Sequence, residues 1–279
     1  MVEWARDTPW RQGHVLPVDA TTALGVASPE QPNDTVAVVV SHDCDLAQGP
    51  DVEPDVEIIV GRRLRAVDGN YTYAKNARCL HLSFGAGNER LAAELPANGK
   101  RRIEKSDLAA FTPLASIQLD PNERTILQRW LAARYRRPAF PDEFDRRLAE
   151  TGLRDRLDKI MKAHGAWISA IFFDVDSGLD VARSGQNDTY AVGIYLLYST
   201  EVDPDAADKA AAAAATAIRK AFLEKCSGKD GVWLHIELVE CEAIADRAMT
   251  VHQSEHLRRW SADHISLRAG PAHPILRGE

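Results

Sequence analysis

Residues 38–47, VVVSHDCDLA, run three valines into Ser41, His42, Asp43, Cys44 and Asp45. An imidazole, a thiol and two carboxylates this close together offer three chemistries. Thiolates and imidazoles are the donors of tetrahedral zinc. A cysteine beside a base can act as a nucleophile. Carboxylates with a histidine can hold Mg²⁺ and activate water for hydrolysis, with His42, Asp43 and Asp45 as the catalytic groups. The segment RCLHL mirrors the first pair, with Cys79 and His81 also two residues apart. If both segments are strands, alternation puts each pair on one face, and Asp43 and Asp45 on the other. The expected metal set is then His42, Cys44, Cys79 and His81, a Cys₂His₂ donor group suited to Zn²⁺. The spacing is not that of a zinc knuckle. The plainer expectation is a buried Cys44 at a strand end, with His42 and His81 exposed by alternation. A nucleophilic Cys44 lacks the glycine-flanked elbow that exposes such a residue.

Two other segments carry candidate binding groups. Within residues 124–147, Arg129, Arg134, Arg136 and Arg137 are interleaved with Trp130, Tyr135 and Phe140. Guanidiniums grip phosphates bidentately and aromatic rings stack on bases, so nucleic acid is the partner this surface suggests. The nearby Asp142, Glu143 and Asp145 weaken that field, and solvated arginines beside core aromatics are the plainer expectation. Near the end of the chain, His252 and His256 stand four apart, on one helical face, where both can meet a metal or a phosphate. The order is H-Q-S-E-H, without the glutamate of the metalloprotease arrangement. The plainer alternative is a terminal helix docked by Leu257 and Trp260, with its histidines exposed. The DHISLR ending has no assigned role beyond a cover for a sheet edge.

The elements that must position these groups follow from pattern. DTVAVVVS is β-branched and almost continuously apolar, the mark of a buried strand. GHVLPV, VEIIVGRRLRAV, GNYTYA and ARCLHLSF are further strand candidates, and DATTALGVASPEQPND is expected to be an exposed loop. In DPNERTILQRWLAARYRR, Asp120 is a plausible cap, Pro121 takes the first helical position and Glu123 completes a capping box. DEFDRRLAETGLRDRLDKIMKAHG is a second helical stretch, interrupted near Gly152 and stopped at Gly165. AWISAIFFDVD and TYAVGIYLLYST form a hairpin with a long tip. The alanine-rich DPDAADKAAAAAATAIRKAFLEKCSG is a helix, GVWLHIELVECEAI a strand and MTVHQSEHLRRWSADH a closing helix. The expected organisation is α+β: a β-rich, small-barrel-like domain over 1–103, a helical connector over 104–164, and an α+β sandwich over 165–279 in the order strand, strand, helix, strand, helix.

Composition bounds the function classes. At 279 residues and a formal net charge of −7, the protein as a whole is not a generic polyanion binder. No apolar run approaches the roughly 20 residues that span a bilayer, so no membrane partner is expected. MVEWARDTPWRQGHVL is not a secretory signal, and four irregularly spaced cysteines are not a disulfide scaffold. The expectation is a cytosolic protein with reduced thiols. No phosphate-binding loop, dinucleotide fingerprint or catalytic triad is present.

RQGHVLPV, the loop after it, VAVVVSHD and VEIIVGR together make residues 10–64 resemble the small SH3-like barrel of the PemK/MazF endoribonuclease toxins. The resemblance implies a barrel fold. That family cleaves RNA with a small hydroxyl residue and an arginine, and here Gly61 and Arg62 stand where the hydroxyl is wanted. The leading expectation is a bacterial-type binding or regulatory protein of a larger assembly, recognising nucleic acid or a partner protein. The alternative is a metal-dependent hydrolase or nuclease of toxin or phage-defence type built on the SHDCD segment.

Overall fold

The computed structural model describes residues 3–85, 90–133, 140–179, 181, 183–228 and 230–260. The chain is α+β, with two separate sheets. The described residues divide into two compact units, one of 3–67 and 77–133, the other of 68–76 and 140–260. Residues 104–164 supply helices to both units.

In the first unit, α1 (Val18–Ala23) and β1 (Thr35–Val39) lead to α2 (Asp43–Leu46). Next come β2 (Asp55–Leu64), β3 (Cys79–Phe84), β4 (Leu91–Pro96), β5 (Lys100–Glu104), α3 (Lys105–Leu108) and α4 (Pro121–Ala133). The sheet order is β1-β2-β4-β3, and β5 also pairs with β2. Every residue of β1 is buried, as its unbroken apolar run requires. On its free side β1 accepts the segment around Val15: Leu16 N–H donates to Ala37 at 2.9 Å and Gly13 N–H to Val39 at 2.8 Å. One sheet face packs Ala37, Val39, Val56, Ile58, Val60 and Ile103 against Trp10, Leu46 and Leu108. The described strands form no closed barrel. Two local expectations are overturned. DATTALG folds as α1, with Ala20 and Thr21 buried, rather than as an exposed loop. GNYTYA is a tight loop, because Tyr73 and Ala74 take left-handed backbone angles that a strand does not accommodate.

In the second unit, α5 (Asp142–Glu150), α6 (Leu153–His164), β6 (Ile168–Val175), β7 (Tyr190–Tyr198) and α7 (Pro204–Cys226) precede β8 (Ile236–Ala245), α8 (Val251–His256) and β9 (Arg258–Arg259). The sheet order is β8-β7-β6-β9. β6 and β7 form the antiparallel hairpin, whereas β8 joins β7 in parallel, which requires a crossover that α7 supplies. Asp203 Oδ1 caps α7 by accepting from Ala206 N–H at 3.0 Å. The buried Ala207, Ala211, Ala214 and Ala215 are small enough to seat that helix close against the sheet. The closing helix is one short element with a capping box at Thr250. The chain then turns to extended β9, and Trp260 N–H bonds Ile171 O at 2.8 Å.

Three buried cations hold irregular backbone in place. Lys105 donates to Asp45 O at 2.7 Å and Gln48 O at 3.0 Å, closing the end of α2. Lys75 donates to Gly165 O at 2.6 Å and Ile168 O at 2.7 Å, closing the end of α6, and burial lowers its pKa well below the usual lysine value. Arg147, 1% exposed, binds Asp188 O, His235 O and Gly185 O at 2.6, 2.9 and 3.1 Å, and fixes the long tip of the β6–β7 hairpin.

The first turn of α4 holds a titratable strain. Asp120 Oδ1 accepts from Glu123 N–H at 2.9 Å, as the cap predicted from sequence requires. Burial, reinforced by the Asp120 charge, pushes the Glu123 carboxyl up to about 7. The unfolded chain sheds this proton near 4.5 while the fold retains it, so stability declines as pH rises from about 4.5 to 7 and is level above that. Glu123→Gln is expected to remove this slope and to stabilise the protein at pH 8 by roughly 1–3 kcal/mol. Urea unfolding at pH 5 and pH 8 measures it; equal effects of the substitution at both pH values would show that Glu123 carries no such penalty.

Candidate metal centre

β3 and β4 are antiparallel and place His81 directly opposite Glu94, while β2 places Arg62 opposite Glu94 on the other side. The three side chains form one row across three strands. Arg62 grips Glu94 with both ends of its fork, Nε to Oε1 at 2.8 Å and Nη2 to Oε2 at 3.1 Å. His81 Nε2 lies 3.3 Å from Glu94 Oε2. Cys79, two residues before His81, shares its face of the strand. Cys79 and His81 are buried, at 8% and 5% exposure. Ligand atoms of Cys79, His81 and Glu94 all lie within 4.8 Å of one another, so this buried group can hold a metal ion.

Burial opposes the Glu94 charge, but hydrogen bonds from His81 and Arg62 outweigh it and hold the carboxyl down at about 2. Glu94 is therefore ionised and oriented at neutral pH, the state a metal ligand needs. Gly61 makes the row possible. A Cβ there would collide with the Glu94 carbonyl, so only glycine lets β4 approach β2 at this register. Gly61 thus has a packing reason of its own.

The SHDCD segment is not a strand end. β1 stops at Val39 and residues 43–46 turn into α2, so His42 and Cys44 do not share a strand face. His42 caps that turn, its Nδ1 accepting from Cys44 N–H at 3.2 Å, and two aspartates stand at the favourable N-terminal end. The plainer expectation holds for His42, which is exposed, and reverses for the other two: Cys44 is exposed and His81 is buried. Among the described residues the only metal-competent group unites Cys79 and His81 with Glu94, and includes neither His42 nor Cys44. Asp43 is used in the fold, its Oδ1 accepting from Gln12 N–H at 2.7 Å, and Asp45 is exposed. Glu94 was not anticipated from sequence; its signal was a lone carboxylate among the apolar residues of LAAELP.

Of the basic segment, Arg129 is exposed on α4, while Arg134, Arg136 and Arg137 lie outside the described residues. Arg146 is tied to Glu143 and Glu150 at 2.6 Å each, and Arg147 is buried, so neither is free for a phosphate. His252 is exposed on α8, beside a cavity lined by Tyr195, Ile244, Met249, Gln253 and Leu257. The His256 side chain lies outside the described residues. No helix among the described residues is long and apolar enough to cross a membrane.

Comparison with protein-family models, curated proteins and solved structures gives no match to this chain.

Two outcomes check this geometry. Cys44 is the one exposed thiol of four, and burial pushes Cys226 up to about 11 and Cys241 up to about 12. A thiol reagent should therefore label one site rapidly in the native protein and none in Cys44→Ser; rapid labelling of the variant would contradict the burial of the others. Gly61→Ala should cost about 1–3 kcal/mol in urea unfolding by prising β4 from β2. A neutral effect would mean that β4 does not approach β2 as described.

Proposed function

We propose that this chain is a binding or regulatory protein of a larger assembly whose first unit carries one divalent transition-metal ion on Cys79, His81 and Glu94. The observation that carries the reading is the convergence of a thiol, an imidazole and an ionised carboxylate at one buried point of the sheet. The donor set suits zinc: thiolate excludes the hard ions Mg²⁺ and Ca²⁺, and imidazole with carboxylate completes a borderline set. The 3.3 Å between His81 Nε2 and Glu94 Oε2 supports it. Zinc bonds of about 2.0–2.2 Å at tetrahedral angles separate neighbouring N and O ligands by ~3.3–3.6 Å. Arg62 would act from outside the ligand set, holding the Glu94 carboxylate in one orientation. The four cysteines form no disulfide, which is consistent with a reducing, cytosolic setting.

The hydrolase alternative has less to draw on. Its two carboxylates do not face a shared point, and one oxygen of Asp43 is already committed to Gln12 N–H. Nucleic acid as the partner rests on Arg129 and on residues outside those described.

Metal content of the purified full chain, before and after incubation with Zn²⁺ and gel filtration, tests the reading. About one equivalent is expected in the wild type, in His42→Ala and in Cys44→Ser, and less than a tenth of that in Cys79→Ser and His81→Ala. Absence of bound metal in the wild type after incubation overturns the proposal. So does retention of a full equivalent when Cys79 and His81 are both replaced.

A further inference from the structure

A second group of side chains in the first unit is dominated by donors: Arg11, His14 and Arg124. Residues 11–14 form a β-turn, closed by His14 N–H to Arg11 O at 3.0 Å, with Gly13 at φ 89° in the position that favours glycine. The turn folds Arg11 and His14 back on each other, and Arg11 N–H donates to His14 Nδ1 at 3.1 Å. With Nδ1 accepting, the imidazole carries its proton on Nε2 and is a neutral donor there. α4 docks on the same turn through Gln128 Nε2, which donates to Gln12 Oε1 at 2.8 Å. Arg124 is one helical turn before Gln128 and shares its face. Burial, then the charges of Arg124 and Arg11, lower the pKa of His14, and Asp43 only partly offsets them, so both cationic side chains act on this ring.

Arg124 is the unusual member. Among the described residues its guanidinium donates no hydrogen bond and makes no ion pair, and its Nε is buried without an acceptor. A buried guanidinium N–H without a partner costs more than an ordinary lost hydrogen bond, so its place in the fold calls for an acceptor. Arg11 spends Nη1 on Thr8 O and Trp10 O, at 2.5 and 2.7 Å, which fixes its guanidinium in place. Asp43, whose charge reaches His14, accepts from Gln12 N–H through Oδ1.

We propose that Arg11, His14 and Arg124 form a binding site for a small oxyanion, with a phosphate group as the class that fits best. Two planar forks can each offer paired N–H donors to tetrahedral oxygens, and His14 Nε2–H adds a fifth. The site is separate from the Cys79–His81–Glu94 group and does not depend on a metal there.

The experiment follows the Arg124 Nε–H and His14 imidazole resonances of the full chain during titration with inorganic phosphate, sodium acetate or sodium chloride at matched ionic strength. Phosphate is expected to shift both resonances and slow exchange of the Arg124 Nε proton, acetate to act more weakly and chloride not at all. Arg124→Gln should weaken phosphate binding at least tenfold, read from the His14 shift, while Arg102→Gln, at an exposed position of the same unit, should leave it unchanged. No shift with phosphate, or equal shifts with all three salts, overturns the proposal. Tighter binding of acetate than of phosphate overturns the assignment to phosphate. The wild-type comparison of the three salts decides the matter even if Arg124→Gln fails to fold.

Discussion

The first unit depends on β2 being hydrogen-bonded along both edges. Its residues pair with β1 on one side and with β5 and β4 in turn on the other, so a single ten-residue strand serves three partners. That is sterically possible only because Gly61 leaves room for the backbone at Glu94. The same close approach brings Arg62 and His81 to either side of one carboxylate. Sheet construction and the candidate site are thus a single arrangement: the register that satisfies the backbone also gathers the charged row.

Elsewhere the protein closes helix ends and loops with buried cations. Lys105, Lys75 and Arg147 all donate to backbone carbonyls, and all are at most 2% exposed. A lysine or arginine removed from water needs acceptors on nearly every donor, and chain reversals supply carbonyls that no strand or helix uses. This explains how Lys105 and Lys75 are buried on backbone carbonyls, while Arg147 adds an ion pair to Glu143 at 2.7 Å to its carbonyl partners. It also marks Arg124 as different in kind, since it is partly buried with no such carbonyls.

Much of the fold was legible in the sequence. The β6–β7 hairpin, the alanine helix α7, the break at Gly152 and the cap at Asp120 all followed from local pattern, where periodicity and capping chemistry agree. β4 and β5 were missed because LAAELP and KRRIE are short and mixed in polarity, and their identity as strands comes from partners distant in the chain. DATTALG was taken for a loop because its helix is short and gains its stability from burying Ala20. The candidate site was half legible. Cys79 and His81 were chosen correctly as a same-face pair, but their partner came from across the sheet, and register is not a local property. His42 and Cys44 misled because a capped helical turn and a strand end begin with the same residue types.

The loop 68–76 leaves the first unit, lends Lys75 to the end of α6, and returns to begin β3. Neither unit is therefore a continuous piece of polypeptide. Truncation at residue 135 would yield a second-unit fragment whose Gly165 and Ile168 carbonyls, at the junction of α6 and β6, have lost the Lys75 ammonium, and a first-unit fragment that keeps the loop 68–76 without the backbone it binds. A faithful dissection would transplant the nine-residue loop onto the second unit and bridge residues 67 and 77 with a linker. For anyone assigning activities to fragments, the two units of this protein cannot be divided by one cut in the chain.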